Sequence, residues 1–513
     1  MTVANKPAFW AITIAVVFFV ISLTQIGRYG MTFDEPAGME RGRETVALIT
    51  QLISPQPGDE EGFAAGWLNN HPSFYATCNY GVASALIKDF GWQPVPAAHL
   101  LNLLTASAGL VVIFFLGKLL FNQTVGLVAE IFMVFFPRFI AHAQFNAKDV
   151  PVMVLGTLAL LLLNLAARRG QIRYWILAGL GFAVSVTTKL DGLFILPIFL
   201  IPWLAKCLRS DNWFADLRKM EWFFYASLLF IFLLWPELWL DPLHLFRSVS
   251  DFASEFRTAN LPYLGHVYPM NQVPWHYIPM HLFAVTPLVL LAALCLGAVW
   301  SLRNLFKKHN VFEHGLLWCW ILLPVLPRML PGVVKYDGMR HVFLMVPALA
   351  LLAGFGVDQL LARWKTHGSF KLAPVVLCGV IGWSGWQIIE CHPYEGFYLN
   401  EAVRAVIPGP KLVDYFDFKG WGSVYSDGVG WVNAHAPLHA TVAWGEDFSM
   451  LESYGLREDL KPLDSADRDK ADYVLVGCWS KDVLSSFHSP PVFSVRCYGT
   501  DLLSVYMQHG PTV

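Results

Sequence analysis

Charged residues are scarce in this 513-residue sequence. Asp, Glu, Lys and Arg make up 14% of it, whereas soluble proteins average about 25%. Hydrophobic residues make up 55%, and the mean hydropathy is +0.47. Twenty Trp and 38 Phe are typical of a lipid-facing surface with aromatic belts. This composition argues against a soluble globular protein and predicts an α-helical polytopic membrane protein.

The sequence also lacks an excess of charge of either sign and lacks metal-type cysteine spacing. A net charge of -2 provides no basic surface for nucleic acid, so we expect no nucleic-acid partner. The eight cysteines are scattered, without the paired Cys or His spacing of a metal site. Cys478 and Cys497 stand apart, because both lie in strand-like runs near the C-terminus. A disulfide between them and two free thiols are both open alternatives.

Long apolar runs dominate the first three quarters of the chain. A helix needs about 20 apolar residues to cross a bilayer. The first run follows Lys6 closely, as in a signal peptide, but no small-residue cleavage site follows it, so we expect a retained helix. The sequence predicts about eleven transmembrane helices, near residues 8–27, 97–117, 124–140, 150–167, 174–188, 191–206, 221–238, 278–300, 312–331, 339–360 and 372–390.

Lys and Arg residues are concentrated in alternate loops, which is the distribution expected of cytoplasmic loops. The N-terminus is then cytoplasmic and the C-terminus extracytoplasmic. The basic loops contain Arg168, Arg169 and Arg173; Lys206, Arg209, Arg218 and Lys219; Arg303, Lys307 and Lys308; and Arg363, Lys365 and Lys371.

The C-terminal part of the chain differs in character from the rest. Charges return after about residue 392, and the runs "ATVAW", "YVLVGC", "VFSVRC" and "LLSVYM" predict strands, while "SMLESYGL" predicts a short helix. The predicted organisation is therefore a helical membrane domain over 1–391 and a small extracytoplasmic α/β domain over 392–513. Residues 28–96 form a long first extracytoplasmic loop, and about 239–276 form a second.

Most remaining ionisable residues fall at the predicted outer ends of the helices. Charges near a bilayer are costly, so they pair with one another or mark functional sites. Helix caps and interface anchors are the alternative explanation, but loops that bring both signs to one depth favour a polar cavity. The candidate residues are Asp34, Glu35, His71, Arg138, Lys148, Asp149, Lys189, Asp337, Arg340 and His341.

Two features of this set point to chemistry. Asp34 and Glu35 are adjacent, although one carboxylate suffices to cap a helix. Lys189 and Arg340 stand at predicted helix starts, where the helix dipole favours anions. This mismatch between two cations and the helix dipole favours a bound anion near Lys189 and Arg340.

Several motifs resemble the bacterial branch of the protein-mannosyltransferase-like family, which are membrane glycosyltransferases of the GT-C superfamily. In chain order they are "DEP", "HP", "AKD", "TTKLDG", "WPELWLDP" and "YDGMRHVFLMVPALALLAGFG", followed in the tail by "HPYEGFYLNEAV", "DYFDFKGWG" and "GWVNAHAP". The resemblance covers most of the chain. It implies a GT-C-type fold and an inverting glycosyltransferase that takes a sugar from a polyprenyl-phosphate donor. The acceptor hydroxyl would be reached on the outer face of the bacterial inner membrane.

The resemblance also suggests roles for the candidate residues. It places the catalytic acidic residue at Asp34 or Glu35. It places the donor phosphate near Lys189 and Arg340, and less directly near Arg138 and Lys148. We expect the remaining candidates to contact substrate; they are His71, Asp149, Asp337 and His341. Some relatives bind a divalent metal through separated acidic motifs. The adjacent pair here does not imply a metal, so a divalent metal stays an open alternative, and we expect no other cofactor.

Three other functions remain open from the sequence. They are a transporter of an anionic or lipid-linked substrate, an inactive membrane scaffold whose tail binds a partner, and another lipid-linked sugar enzyme such as a polymerase. Besides the lipid bilayer and the lipid-linked donor, the expected partner is an acceptor, which could be a protein, a lipid or a glycan.

Overall fold

The structure of the protein is a computed structural model that describes residues 6–54, 71–208, 217–254, 259–366, 369–416, 420–446 and 454–508. Its main helices are α1 Lys6–Thr24, α2 Glu35–Ile53, α3 Phe74–Phe90, α4 Pro94–Leu120, α5 Gln123–Val134, α6 Pro137–Phe145, α7 Asp149–Arg169, α8 Ile172–Thr188, α9 Ile195–Cys207, α10 Glu221–Leu234, α11 Glu237–Leu240, α12 His244–Ser254, α13 Tyr277–Val285, α14 Leu288–Phe306, α15 Val311–Met329, α16 Val346–Thr366, α17 Ala373–Cys391, α18 Glu401–Val406, α19 Leu412–Tyr415, α20 Tyr425–His435 and α21 Lys481–Ser486. The strands are β1 Asn260–Tyr263, β2 His266–Pro269, β3 Thr441–Trp444, β4 Lys461–Leu463, β5 Tyr473–Gly477, β6 Phe493–Cys497 and β7 Thr500–Met507.

All eleven predicted apolar runs are largely helical. Within the described residues, seven helical segments are long and apolar enough to cross a membrane, and there are eight if the bent pair α5 and α6 counts as one span. The protein is therefore an integral membrane protein, and a total of eleven crossings remains a prediction. The seven segments are α1, α4, α7, Leu190–Cys207, α14, Arg340–Thr366 and α17.

Local sequence explains the shape of these helices. The pair α5 and α6 bends by 70° just before Pro137, because proline disfavours helical backbone at the residue that precedes it. Helices α14 and α16 pack closely through glycines. A Cβ atom on Gly297 would lie 1.8 Å from the carbonyl oxygen of Leu352, so only glycine permits this approach, as is common between membrane helices.

The tail contains a five-stranded mixed sheet with the order β4-β3-β5-β7-β6. Strands β4, β3 and β5 are parallel, whereas β7 pairs antiparallel with β5 and β6. All four predicted strands are confirmed as β3, β5, β6 and β7, while β4 and the β1–β2 hairpin were not predicted. The short helix predicted at 449–456 falls mostly outside the described residues.

The sheet order decides the question of the disulfide. Cys478 follows β5 and Cys497 ends β6, and β7 lies between these two strands. Two strand spacings amount to roughly 10 Å, which is more than a disulfide can bridge. Both residues are buried and neither is joined in a disulfide, so the disulfide alternative is wrong.

A single apolar core extends from the membrane helices into the tail. Val429 and Leu475 of the tail belong to the same cluster of buried side chains as Leu110 and Leu351 of the helices. The start of the first loop lies between the two parts, with the Phe33 ring 6.0 Å from that of Tyr425. This packing fixes the position of the adjacent carboxylates.

Candidate active site

Asp34 lies at the N-terminal end of α2, and its side chain points away from the helix. It occupies the N-cap position, but its carboxylate makes no capping hydrogen bond. Instead, Oδ2 lies 2.6 Å from Nη2 of Arg340 and 3.5 Å from Nζ of Lys148. The side chain is 34% exposed, so it remains accessible to a substrate.

Glu35, in contrast, turns into the protein. Its Oε2 accepts hydrogen bonds from the backbone N–H of Thr32, at 2.5 Å, and from the Thr32 hydroxyl, at 3.0 Å. Its Oε1 lies 2.8 Å from Nε2 of His99, and the side chain is only 7% exposed. The two adjacent carboxylates therefore have different surroundings: that of Glu35 holds the loop in place, whereas that of Asp34 meets basic side chains.

Arg340 is the centre of the charged cluster, and it binds three carboxylates. Nε contacts Asp149 at 3.0 Å, Nη1 contacts Asp337 at 2.5 Å, and Nη2 contacts Asp34 at 2.6 Å. Its guanidinium carbon also lies 3.7 Å from the centre of the Trp421 ring, which is a favourable cation–π distance. Besides its own segment, which supplies Asp337, three other segments of the chain orient this side chain, and one of them belongs to the tail.

Asp149, at the start of α7, connects Arg340 to Lys189. Its Oδ1 lies 2.6 Å from Nζ of Lys189, which also contacts Asp191 at 2.5 Å. Asn146 donates to Oδ2 of Asp149 at 2.8 Å. As predicted, Lys189 precedes a helical turn and Arg340 begins one. The anion expected beside these two cations is supplied in part by carboxylates of the protein itself.

The cluster borders a cavity of about 260 Å³. Among the described lining residues are four cationic and two anionic side chains, a balance that suits an anionic ligand. Seven of the ten candidate residues line this cavity: Asp34, Glu35, His71, Lys148, Lys189, Arg340 and His341.

The other three candidates do not line it. Asp149 is 1% exposed and lies behind Lys189 and Arg340. Arg138 and Asp337 line a smaller neighbouring cavity, and Arg138 donates a hydrogen bond to the carbonyl oxygen of Gly396. These three positions are suited to orienting the cavity residues rather than to touching the ligand.

The charged neighbours determine the ionisation of the loop residues. Burial alone raises the pKa of Asp34, but Arg340 and Lys148 outweigh it and hold this pKa below its usual value. Burial lowers the pKa of Lys148, and the nearby Arg41 and Arg340 lower it further, against the opposing effect of Asp34. Asp34 is therefore a carboxylate at neutral pH.

Among the lining residues that sequence reasoning missed, Arg41 and Trp421 contribute most to the charge and shape of the site. Arg41 could have been found, because Asp34, Gly38 and Arg41 follow the i, i+4, i+7 spacing of one helix face. Trp421 belongs to a turn of the tail in which it has φ +59°. No sequence signal connected this turn to the membrane helices.

His341 has a distinctive environment on the cavity wall. Its ring packs edge-on against Tyr336, with ring centres 4.4 Å apart. Both ring nitrogens are buried and have no hydrogen-bond partner among the described residues. Buried polar atoms are usually paired, so His341 has unused capacity for a ligand or water.

A group of three or more His, Cys, Asp or Glu side chains suited to a metal ion does not occur in the described parts of the chain. The carboxylates that converge here are those of Asp34, Asp149 and Asp337, and they converge on Arg340. The Arg340 guanidinium thus balances part of the negative charge of these three carboxylates.

Comparison with known proteins gives consistent results. Residues 86–239 match the family model of dolichyl-phosphate-mannose-protein mannosyltransferases. A search of curated proteins finds no significant sequence match. The fold is similar to that of ArnT from Cupriavidus metallidurans bound to undecaprenyl phosphate, with a TM-score of 0.54 and 15% identity over 99% of this chain and 100% of that one.

The apo structure of the same ArnT superposes with a TM-score of 0.53 at 14% identity, over 100% of both chains. The oligosaccharyltransferase of Archaeoglobus fulgidus gives a TM-score of 0.55 at 10% identity, over 93% of this chain and 70% of that one. The family model therefore matches residues 86–239, and the fold of nearly the whole chain is similar to that of ArnT and of the archaeal oligosaccharyltransferase.

Proposed function

We propose that the protein transfers a sugar from a polyprenyl-phosphate donor to an acceptor hydroxyl at the extracytoplasmic membrane surface, with inversion at the anomeric carbon. The observation that carries this proposal is the cavity in which an exposed carboxylate, Asp34, lies beside a cluster of basic side chains. The solved ArnT with bound undecaprenyl phosphate supports the class of donor.

Asp34 is the proposed general base. Its carboxylate accepts the proton of the acceptor hydroxyl while that oxygen bonds to the anomeric carbon and the bond from this carbon to the phosphate oxygen breaks. A positioned general base contributes about 10²–10⁴-fold to the rate. Glu35 is already engaged by Thr32 and His99, so its proposed role is to hold the loop that presents Asp34.

The leaving phosphate gains negative charge as the bond to the sugar breaks. Lys148, Lys189, Arg41 and Arg340 all line the cavity and are the proposed groups that stabilise this charge. Their positions are set before the donor arrives, because protein carboxylates already orient Arg340 and Lys189, and preorganised charges stabilise a transition state most effectively. His71 and His341 are proposed to contact the sugar or its phosphate.

We assign the cavity to the outer side of the bacterial inner membrane, with a cytoplasmic N-terminus and an extracytoplasmic tail. The basic loops at the opposite helix ends support this orientation through the positive-inside rule. The donor then enters from the bilayer with its phosphate at the depth of Lys148 and Arg340.

The test uses purified protein in nanodiscs with a panel of polyprenyl-phosphate sugars, and it follows the release of polyprenyl phosphate. Cell-envelope extract supplies acceptors. Asp34→Asn is compared with Glu40→Gln, a matched acid-to-amide control on α2, whose side chain is 53% exposed and pairs with Arg43. Release by wild type and Glu40→Gln but not by Asp34→Asn supports the proposal. No release from any donor, or equal release by Asp34→Asn, contradicts it.

A further inference from the structure

A separate cavity of about 530 Å³ lies where the outer end of α1, the start of α4 and the tail meet. We call it the second cavity, because the small cavity at Arg138 and Asp337 adjoins the one beside Asp34. Among the described residues, the second cavity shares no lining residue with the cavity beside Asp34 and Arg340, which we call the catalytic cavity. The proposed mechanism leaves it unused. Its polar lining includes Arg28, Tyr394, Ser426, Asp427 and Tyr454.

The second cavity is close to the proposed base. Gly30 lines the second cavity and Thr32 lines the catalytic one, and fully extended chain from Gly30 to Asp34 spans at most about 14 Å. Tyr454 lines the second cavity. Its hydroxyl donates to the carbonyl oxygen of Gly422 at 3.3 Å, and burial together with the Glu35 carboxylate raises its pKa. A ligand of modest length is therefore long enough to span the distance between the second cavity and Asp34.

The polar groups of the second cavity suit the recognition of hydroxyl groups. The exposed Arg28 side chain has no hydrogen-bond or ion-pair partner among the described residues. Asp427 accepts a hydrogen bond from the Tyr394 hydroxyl at 3.2 Å through Oδ2, which leaves Oδ1 available. A carboxylate and a guanidinium form strong hydrogen bonds to neutral hydroxyls, and the tyrosine rings add apolar faces with polar tips.

The same region is poorly suited to an extended peptide. Peptides commonly bind by pairing their backbone with an exposed strand edge. The first-loop segment that borders the cavity already uses its backbone N–H groups. Met31 donates to Oγ of Ser426 at 3.2 Å, Thr32 donates to Glu35 at 2.5 Å, and Phe33 donates to the carbonyl oxygen of Trp421 at 3.1 Å.

We infer that the second cavity binds the non-reacting part of the acceptor and that this part is carbohydrate. The inference rests on the proposed function, because it assumes that the acceptor hydroxyl lies at Asp34. The sugar units adjoining that hydroxyl then occupy the cavity beside Arg28 and Asp427. Either a glycolipid headgroup or a free oligosaccharide supplies such an acceptor.

Gly27 offers a direct way to fill this cavity. It lies in the helical turn Ile26–Arg28, and a Cβ atom there would meet only Pro96, at 4.0 Å. Gly27→Phe therefore places a ring at the cavity without a backbone clash. Gly81→Phe is the matched control, because Gly81 is exposed on α3, lines neither cavity and has open space around its Cβ position.

The experiment measures transfer in nanodiscs to three acceptors: an envelope glycolipid fraction, a free envelope oligosaccharide fraction and a Ser/Thr-rich synthetic peptide. We expect transfer to a carbohydrate acceptor, with the KM for that acceptor raised about tenfold by Gly27→Phe through the loss of one or two hydrogen bonds. Gly81→Phe should match wild type, and the binding of polyprenyl phosphate should be the same in all three proteins. The fraction that accepts sugar distinguishes the glycolipid from the free oligosaccharide.

Asp427→Asn provides a second variant should Gly27→Phe fail to fold, and its acceptor KM should rise as well. Transfer to the peptide alone overturns the inference, as does an acceptor KM unchanged from wild type in the folded variants. Absence of donor cleavage by wild type, with every acceptor and with water, overturns the proposed function itself and is thus a distinguishable outcome.

Discussion

Replacement of the two adjacent carboxylates one at a time should separate catalysis from loop stability. Among the described residues, two carboxylates line the catalytic cavity, those of Asp34 and Glu35. The Glu35 carboxylate accepts a hydrogen bond from the backbone N–H of Thr32, so Asp34→Asn removes the one that is not bound by neighbouring backbone. If Asp34 is the base, kcat should fall about 10²–10⁴-fold. A tenfold loss corresponds to about 1.4 kcal/mol, so the activation barrier should rise by about 3–5 kcal/mol.

The structure predicts a different effect on stability for each variant. Asparagine keeps an oxygen that can accept from Arg340, and Asp34 is one-third exposed, so Asp34→Asn should cost about 1 kcal/mol or less. Glu35→Gln weakens two hydrogen bonds in a buried site and should cost about 1–3 kcal/mol. Its kcat should nevertheless remain within about tenfold of wild type.

The assay combines single-turnover release of polyprenyl phosphate with thermal unfolding in detergent, for wild type and both variants. Glu40→Gln controls for loss of an acidic side chain on the same helix. The assignment of the base is refuted if Asp34→Asn retains near-wild-type turnover while Glu35→Gln, shown to be folded, loses it.

Three more predictions concern the surroundings of this carboxylate. Because the pKa of Asp34 is lowered, the Asp34 carboxylate stays ionised to below about pH 4. Its ion pairs with Arg340 and Lys148 therefore stabilise the fold at higher pH, and this stabilisation is lost as the pH falls through the lowered pKa. In Lys148→Met, the pKa of Asp34 should rise, so the acid limb of the pH profile of kcat/KM should shift to higher pH. An acid limb at the wild-type pH would count against this electrostatic account. Trp421→Ala should weaken donor binding about 2–30-fold by exposing Arg340, since cation–π contacts contribute about 0.5–2 kcal/mol, whereas Trp421→Phe should retain part of the affinity in the same binding titration. Excess EDTA should leave transfer unchanged because Arg340 occupies the centre of the carboxylate cluster, and a loss restored by Mg²⁺ or Mn²⁺ would contradict that prediction.

The helices and most strands could be predicted from the sequence, because they follow from local hydrophobic patterns. Each apolar run became helix because backbone groups in a bilayer must be satisfied within their own segment. The four β-rich runs of the tail became strands for a similarly local reason. The positions of Lys189 and Arg340 at helix starts were also visible, since local signals place them next to Gly and Asp residues.

Local patterns could not decide which charges would meet. Asp34 and Arg340 are more than 300 residues apart, and their contact depends on how α2, α7 and the turn before α16 pack. Adjacent Asp34 and Glu35 looked equivalent in the sequence, yet their carboxylates diverge because α2 begins at Glu35. The sequence could not decide between a Cys478–Cys497 disulfide and two separate thiols for the same reason. The distance between the two residues depends on the order of strands in the sheet, which is a property of the whole tail.

The sequence by itself determined the membrane-embedded helical class, the strands of the tail and the set of charges at the helix ends, because each follows from local hydrophobicity and backbone preference. Only the tertiary structure decided that Asp34 faces the cavity, that Arg340 gathers three carboxylates, and that the tail supplies Trp421 to the same site. Those contacts join segments that are distant in the chain, and packing of the whole molecule is what brings them within a few ångströms.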